Sequence, residues 1–574
     1  MLGKSSFTGA QEAMYAAIRD DNIVELERLL AAGPPLHLAK AEGDSIDFGT
    51  AAAWSYPLHF AAYIGNLDAV RKLLDAGADP ITCEEIVLTE EEDFEMTPLF
   101  LAIRSGHRAI VKALWEAGGA ADSFVTETSA RFSYLKLAAG AGHAAIVRDL
   151  LSWKQWDYEV KLSALREAAE CWRFDVVDEL LGPGSYFEHN DLFPALHTVL
   201  HDAVSSRKEY PREFLAQRTQ LEYVEQQMIV HRLLDAGADP NSYVLGRPPL
   251  VNAATFGINC LGAVRTLLDN GANVDLADRE GQTAFHLFVT SREWCSPAIS
   301  LLLRRNANPN LKNCVGITAL QLAAQHATEW SHLEPIMKTY VGEDSRVGNL
   351  DTDSGETLLH FAALGGKRET VEMLISAYNM DVNAETQTGW TPLMFALLPK
   401  SHLNHPTRST LHAAVRTAKL LLLHGANPLT TTKEGWTPLH ALSLHADEFP
   451  DGEAKALTSE LISLGCSINP PPALALPPGW HAMPQRIHWP KGPWKKLPLL
   501  HWAASHGAVE VMEALIENGA DVLEEDMYNN TAREVVETSG HVGWPEPSCN
   551  GPSRNLNAVG QMMLKVLDEA RDKR

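Results

Sequence analysis

The chain has 574 residues and a formal net charge of −25, with 48 Lys and Arg against 73 Asp and Glu. That balance argues against a nucleic-acid backbone as partner, because binding phosphates calls for clustered Lys and Arg. It fits a protein partner with a basic surface, and it also fits a long open surface kept in solution by charge.

Taken in chain order, the first helical pattern is a pair, Glu12 to Ile18 and Ile23 to Leu30. After a longer connection, Tyr56 to Pro80 repeats that pair more clearly. Pro57 suits the first turn of a helix, where its missing N–H costs nothing. Leu58, Ala61 and Ala62 form a slim apolar face, and Gly65 breaks the helix at a tight turn. Val70, Leu73 and Leu74 recur at helical spacing in a second helix. Gly77 ends it and Asp79-Pro80 starts a turn. A unit this small cannot bury its own hydrophobic face, so it needs copies.

The copies follow. Thr97 to Gly118 comes after an acidic insert, Glu84 to Glu95, which reads as a solvated loop. From Ser133 to Gly182 the pattern erodes. From Leu196 a first helix reappears, but its partner, Ile229 to Leu234, arrives late, with charged helix-favouring residues 209–227 between them. Regular spacing returns at Pro248, with units closing at Gly271-Ala-Asn273 and Asn306-Ala-Asn308. Thr357-Leu-Leu-His360, Gly389-Trp390, Gly435-Trp436-Thr-Pro-Leu-His440 and Leu500-His-Trp-Ala-Ala504 open later units. Between the last two lies 470–498, rich in Pro and Trp, where proline at such density favours extended or turn geometry over helix.

These motifs resemble the ankyrin repeat, whose unit is a Thr-Pro-Leu-His-x-Ala helix, a second helix and a Gly-Ala-Asp/Asn turn at a period of about 33 residues. The resemblance covers nearly the whole chain as a long array of about a dozen or more units. It implies an all-α solenoid of stacked helix-turn-helix units joined by short β-hairpin-like turns. The expected divisions are an N-terminal capping repeat (8–36), repeats eroding along 54–182, an irregular repeat with an inserted helix (183–243), regular repeats (248–469), the Pro/Trp-rich insert (470–498), and a last repeat with a C-terminal cap (499–574).

The resemblance also implies roles. His59, His286, His360, His440 and His501 fill the motif's His slot and would bond backbone and hydroxyl groups of a neighbouring unit. The residue after each unit's first Gly would sit at the hairpin on the concave face: Gln282, Ile317, Glu356, Trp390 and Trp436. Residues just before the helix–helix turn would face the same groove, among them Tyr63, Ile64, Gln325, His326, Leu444, His445, Ser505 and His506. Partly exposed aromatic rings make favoured partner anchors, so the expected binding set is Trp390, Trp436, Glu356, Gln282, Ile317, Leu444, His445 and His506. The two indoles could instead pack on each other or on the inserts.

No nucleophile, metal or nucleotide signature is present, and no cofactor is expected. The expected function is a non-catalytic scaffold that binds protein partners in the groove and is a monomer on its own. The alternative is a small-molecule binder or an enzyme, with a pocket formed by Trp480, His481, His488, Trp489, Trp494 and His440. Met1 to Thr8 lacks the apolar core of a signal peptide, and no apolar run approaches the ~20 residues of a membrane span. Seven scattered cysteines fit reduced thiols, so the expected location is cytoplasmic, with the nucleus open. Stacked repeats open locally where a unit is weak. The eroded stretch 135–225 should therefore lose amide protection first, and equal hydrogen exchange there and across 248–310 would contradict this.

Overall fold

The computed structural model describes residues 9–33, 56–82, 84–89, 92–119, 133–182, 187, 189–204, 220–256, 260–291, 294–340, 355–398, 408–445, 452–470, 498–526, 529–538 and 558–573. They are predominantly helical and group into two compact units, residues 1–278 and 279–574.

In the first unit, pairs of antiparallel helices follow one another: Gly9–Arg19 with Ile23–Ala31, Pro57–Ile64 with Leu67–Asp75, Pro98–Ser105 with Arg108–Leu114, and Tyr134–Ala141 with Ala144–Trp153. Tyr158–Glu170 with Phe174–Leu181 continues the series through the eroded stretch. His189–Val204 and Gln220–Asp235 are longer. The late partner of the irregular repeat is the end of this second long helix. Local signals set the boundaries. Thr97 and Ser133 accept N–H bonds from the third residue on, Pro57 and Pro98 occupy first turns, and Gly65, Gly106 and Gly142 close first helices in the left-handed region.

The acidic insert is not a plain loop. Glu84–Thr89 and Glu92–Met96 form a two-stranded antiparallel ribbon, with Ile86 opposite Phe94. Interleaving Ile86, Val87, Leu88, Thr89 and Phe94 among the acids gives the chain enough β propensity to pair with itself. Charge masked that signal in the sequence.

What joins neighbours in the first unit is a row of side chains at the start of each second helix. Asn66 Nδ2 donates to Ile18 O at 2.8 Å, and His107 Nε2 lies 3.0 Å from Tyr63 O. His143 Nε2 lies 3.2 Å from Arg104 O, and Arg173 Nε donates to Gly140 O at 3.1 Å. Each partner carbonyl lies at or near the C-terminal end of the preceding unit's first helix, where intrahelical bonding runs out. Close approach is required: a Cβ at Gly65, whose φ is +92°, would lie 2.6 Å from His107 Cε1. Phe100 and Lys136 stand where His59 stands one repeat earlier. This second row therefore bridges units that lack the motif His.

In the second unit the motif His joins neighbours at three boundaries, through His286, His360 and His501. Thr357 N donates to His360 Nδ1 at 3.1 Å, which leaves the proton on Nε2, 3.1 Å from Trp390 O of the next repeat. His286 is held by Thr283 and lies 3.3 Å from Ile317 O; His501 Nε2 lies 2.9 Å from Asn530 O. The hydroxyl partner belongs to the same repeat and only the carbonyl to the next, a division of roles finer than the sequence implied. The turns themselves recur: Asn313 N to Ile317 O, Thr386 N to Trp390 O, Thr432 N to Trp436 O and Asp526 N to Asn530 O are all 2.9 Å.

Surface ion pairs such as Lys72–Glu27, Arg108–Asp149 and Arg232–Asp178 also cross between neighbouring second helices. Exposed pairs are screened by water and contribute little, against about 1.5–3 kcal/mol for each fully buried Leu or Val side chain. The stack is held by its apolar face and its carbonyl bonds.

Burial shapes the titration of the motif His. It pushes His360 and His440 from an ordinary 6.5 down to about 4, with the Trp390 carbonyl opposing the shift at His360. The folded state keeps both rings neutral, while the unfolded chain takes up protons below pH 6.5. Their contribution is complete above pH 6.5 and is lost as pH falls toward 4, at about 1.4 kcal/mol per unit for each ring. Urea unfolding should show stability falling between pH 6.5 and 5, and His440→Gln should reduce that slope while the His360 contribution remains. An unchanged midpoint across the window would contradict this assignment.

Candidate interaction site

Trp390 and Trp436, the largest of the fully buried side chains, belong to an aromatic row. Trp390 and Trp436 lie 5.5 Å apart between ring centroids, and Trp436 lies 5.4 Å from Trp502. His506 stacks on Trp502 at 5.3 Å and 15°. Phe395 meets both His360 and Trp390 edge-on. Tight turns set the row: Trp390 N and Trp436 N each donate at 3.0 Å to the hydroxyl four residues back, Thr386 and Thr432. Ala441 stands where other repeats carry Phe361, Phe395 or Trp502.

This corrects the sequence expectation for the anchors. Trp390 is 0% and Trp436 1% exposed, so neither ring presents a surface to a partner. Two indoles at the same slot of successive repeats gain more by packing against each other, here tilted at 40°, than by facing water. Glu356 is also buried, with its carbonyl 3.4 Å from Gln321 Nε2. Leu444 and His445 are buried as well, and His445 Nε2 lies 2.9 Å from Leu397 O. Gln282, Ile317 and His506 are half-buried. Of the other groove positions, Tyr63, Ile64, Gln325 and His326 are half-buried, while Ser505 is buried.

His440 is 1% exposed and packs edge-on against Trp436, bonded through Nδ1 to Thr437. Among the described residues, its Nε2, like Trp390 Nε1, has no hydrogen-bond partner. Trp480, His481, His488, Trp489 and Trp494, the rest of the alternative pocket, lie outside the described residues. Among the described residues, no group of three or more His, Cys, Asp or Glu is arranged to hold a metal ion, and no helix is long and apolar enough to cross a membrane.

The first helices divide into two kinds. Every residue of Pro392–Ala396 and Pro438–Leu442 is buried. By contrast, Phe100 and Arg104 on Pro98–Ser105 are half-buried, as are Lys136 and Leu137 on Tyr134–Ala141. So are Leu287 on Ala284–Thr290, Leu322 and Gln325 on Ala319–His326, and Leu364 on Leu358–Leu364. These partly open slots, rather than the tryptophans, are where the first helices reach the surface. Sequence reading passed over Leu287 and Leu322 because an isolated Leu between buried neighbours reads as core.

Sequence comparison agrees with this architecture. The family described as "Ankyrin repeats (3 copies)" matches residues 13–127, 58–161, 221–313 and 320–404, and a single "Ankyrin repeat" matches 495–524. The chain belongs to the ankyrin-repeat family. It is 30% identical to human Rabankyrin-5 over 160 residues, which is 28% of this chain and 13% of that protein. Mouse Rabankyrin-5 gives 30% over 163 residues, again 28% of this chain and 13% of that protein. Human "SH3 and multiple ankyrin repeat domains protein 2" gives 26% over 182 residues, 31% of this chain and 9% of that protein. The chain thus spans only a small part of these relatives. Membership of the family supports a protein-interaction role in general terms.

The buried indoles carry a testable consequence. Trp436→Ala should cost about 3–5 kcal/mol, as large-to-small changes of core aromatics do, read as a lower denaturation midpoint of the second unit. A loss under about 0.5 kcal/mol, the range of surface substitutions, would return Trp436 to the surface.

Proposed function

We propose that the chain is a non-catalytic scaffold that holds a protein partner along the partly open slots of its first helices. The observation that carries this reading is the contrast between helices sealed on every side and helices that keep a half-exposed row, Leu287, Leu322, Gln325 and His326 in the second unit. Apolar side chains flanked by polar ones on a rigid scaffold suit a segment of another protein. The acidic excess of the whole chain favours a partner with basic residues around its contact.

The same reading treats the protein as a cytoplasmic monomer, with the nucleus also open. Supporting it, Cys171, Cys260, Cys295 and Cys466 are buried free thiols, and Cys314 is an exposed one, as suits a reducing compartment.

The test is quantitative capture from native extract with the full chain, a Leu322→Gln/Gln325→Ala variant, and an outer-face control, Arg71→Ala. Loss of about 1.4 kcal/mol of contact lowers retention roughly tenfold. Proteins retained by wild type and control but depleted at least that much by the double variant support the groove. Equal retention by all three overturns it. A small molecule carried through purification and seen by native mass spectrometry, with no protein retained, would put the pocket reading first.

A further inference from the structure

The helix Glu453–Ser463 begins without a cap of its own. Gly452 precedes it at φ +87° and supplies no side chain. Its first N–H groups are instead taken by Glu510, from the second helix of the last repeat, Val509–Glu517. Glu510 Oε1 accepts from Gly452 N at 2.6 Å, and Oε2 accepts from Ala454 N at 2.9 Å and Lys455 N at 3.1 Å. The residue is 3% exposed. A carboxylate so placed satisfies donors that the helix leaves orphaned and faces the positive end of its dipole. Lys455 reaches back across the same boundary, its Nζ 3.1 Å from Glu513 and 2.7 Å from Glu517.

A related contact occurs earlier in the unit. Trp330 N donates to Glu369 at 3.2 Å, and Glu369, like Glu510, is the second residue of the next repeat's second helix. Glu369 is exposed and takes that one bond from a helix start. At Glu510 the device is buried and threefold.

It also sits where the chain itself does least to hold neighbours together. The connection from Glu453–Ser463 to Leu499–His506 runs over 464–498, whereas the corresponding connection one repeat earlier runs over 424–437. Longer connections leave the ends further apart on average, so register falls to non-covalent contacts. On the inner side of this boundary the contact is Trp436 against Trp502.

We propose that Glu510 is a latch. It fastens the terminal block, the last repeat with the helix Ala558–Asp572, onto the repeat before it, and release of the latch uncovers the ring of Trp436. The second unit then has two states: one sealed, as in this structure, and one in which the terminal block has swung off as a unit and an aromatic face is open. Cooperative sub-global opening of this kind is set by the few strong contacts at one boundary.

The experiment is hydrogen exchange of the full chain, as wild type, Glu510→Gln, Glu510→Ala and the control Glu513→Gln. Loss of charge-assisted hydrogen bonds predicts faster exchange by at least about tenfold in 452–463 and 499–517. Exchange in 284–304 and 358–376 stays unchanged, and tryptophan emission shifts to the red. Glu513→Gln leaves one carboxylate on Lys455 and the whole of Glu510, and changes little. Equal acceleration throughout 279–574, or none, overturns the latch. Wild type provides a check independent of any variant's folding: in rising urea, 452–463 and 499–517 exchange together before the rest of the unit. Exchange only through global unfolding overturns it as well.

Discussion

A helix pair with two or three apolar residues on each helix cannot bury them without a neighbour, and its helix ends leave carbonyls without partners. Both needs are met across the same boundary. Small residues such as Ala61 and Ala62 let the next pair approach, and the approach brings a donor from that pair within reach of an orphan carbonyl. In the first unit the donors are Asn66, His107, His143 and Arg173. In the second they are His286, His360 and His501. Each donor serves one boundary, so repeats lacking the motif His remain joined by the other row.

Energetics follow from that arrangement. Carbonyl bonds of this kind contribute modestly when made and cost more when one partner is left buried and alone. They therefore act as specifiers of register more than as sources of stability, which comes from the apolar stripe. The neutral state of His360 and His440 is a by-product of the same geometry. A ring that accepts from a backbone N–H at Nδ1 and is buried on all sides has no room for a second proton. The array thereby acquires a sensitivity to mild acid.

The aromatic row of the second unit shows how inserted volume alters a repeat's use. Where Leu287, Leu322 and Gln325 remain half-exposed, the first helices keep a side open to the surface. From Trp390 onward that side is filled, and the first helices Pro392–Ala396 and Pro438–Leu442 are sealed. The slot itself, filled by Phe361, Phe395, Ala441 and Trp502, does not set this: Phe occurs on a partly open helix and on a sealed one.

The sequence by itself determined the repeat and the all-α class. These depend on local chemistry: Pro in a first turn, Thr or Ser before it, Gly where the backbone turns left-handed. Of the motif histidines, His286, His360 and His501 reach a carbonyl of the next repeat as their slot implied, whereas His440 Nε2 finds none among the described residues, and the bridging His107 and His143 lie outside the motif slot. Only the tertiary structure decided which slots face water. Trp390 and Trp436 carry the same position label as Gln282 and Ile317, yet they are buried, because exposure depends on what the adjacent repeats bring against that slot. The acidic ribbon at 84–96 and the Glu510 cap were hidden for the same reason. A strand needs a partner strand, and a carboxylate caps a helix far along the chain only once stacking has brought the two together.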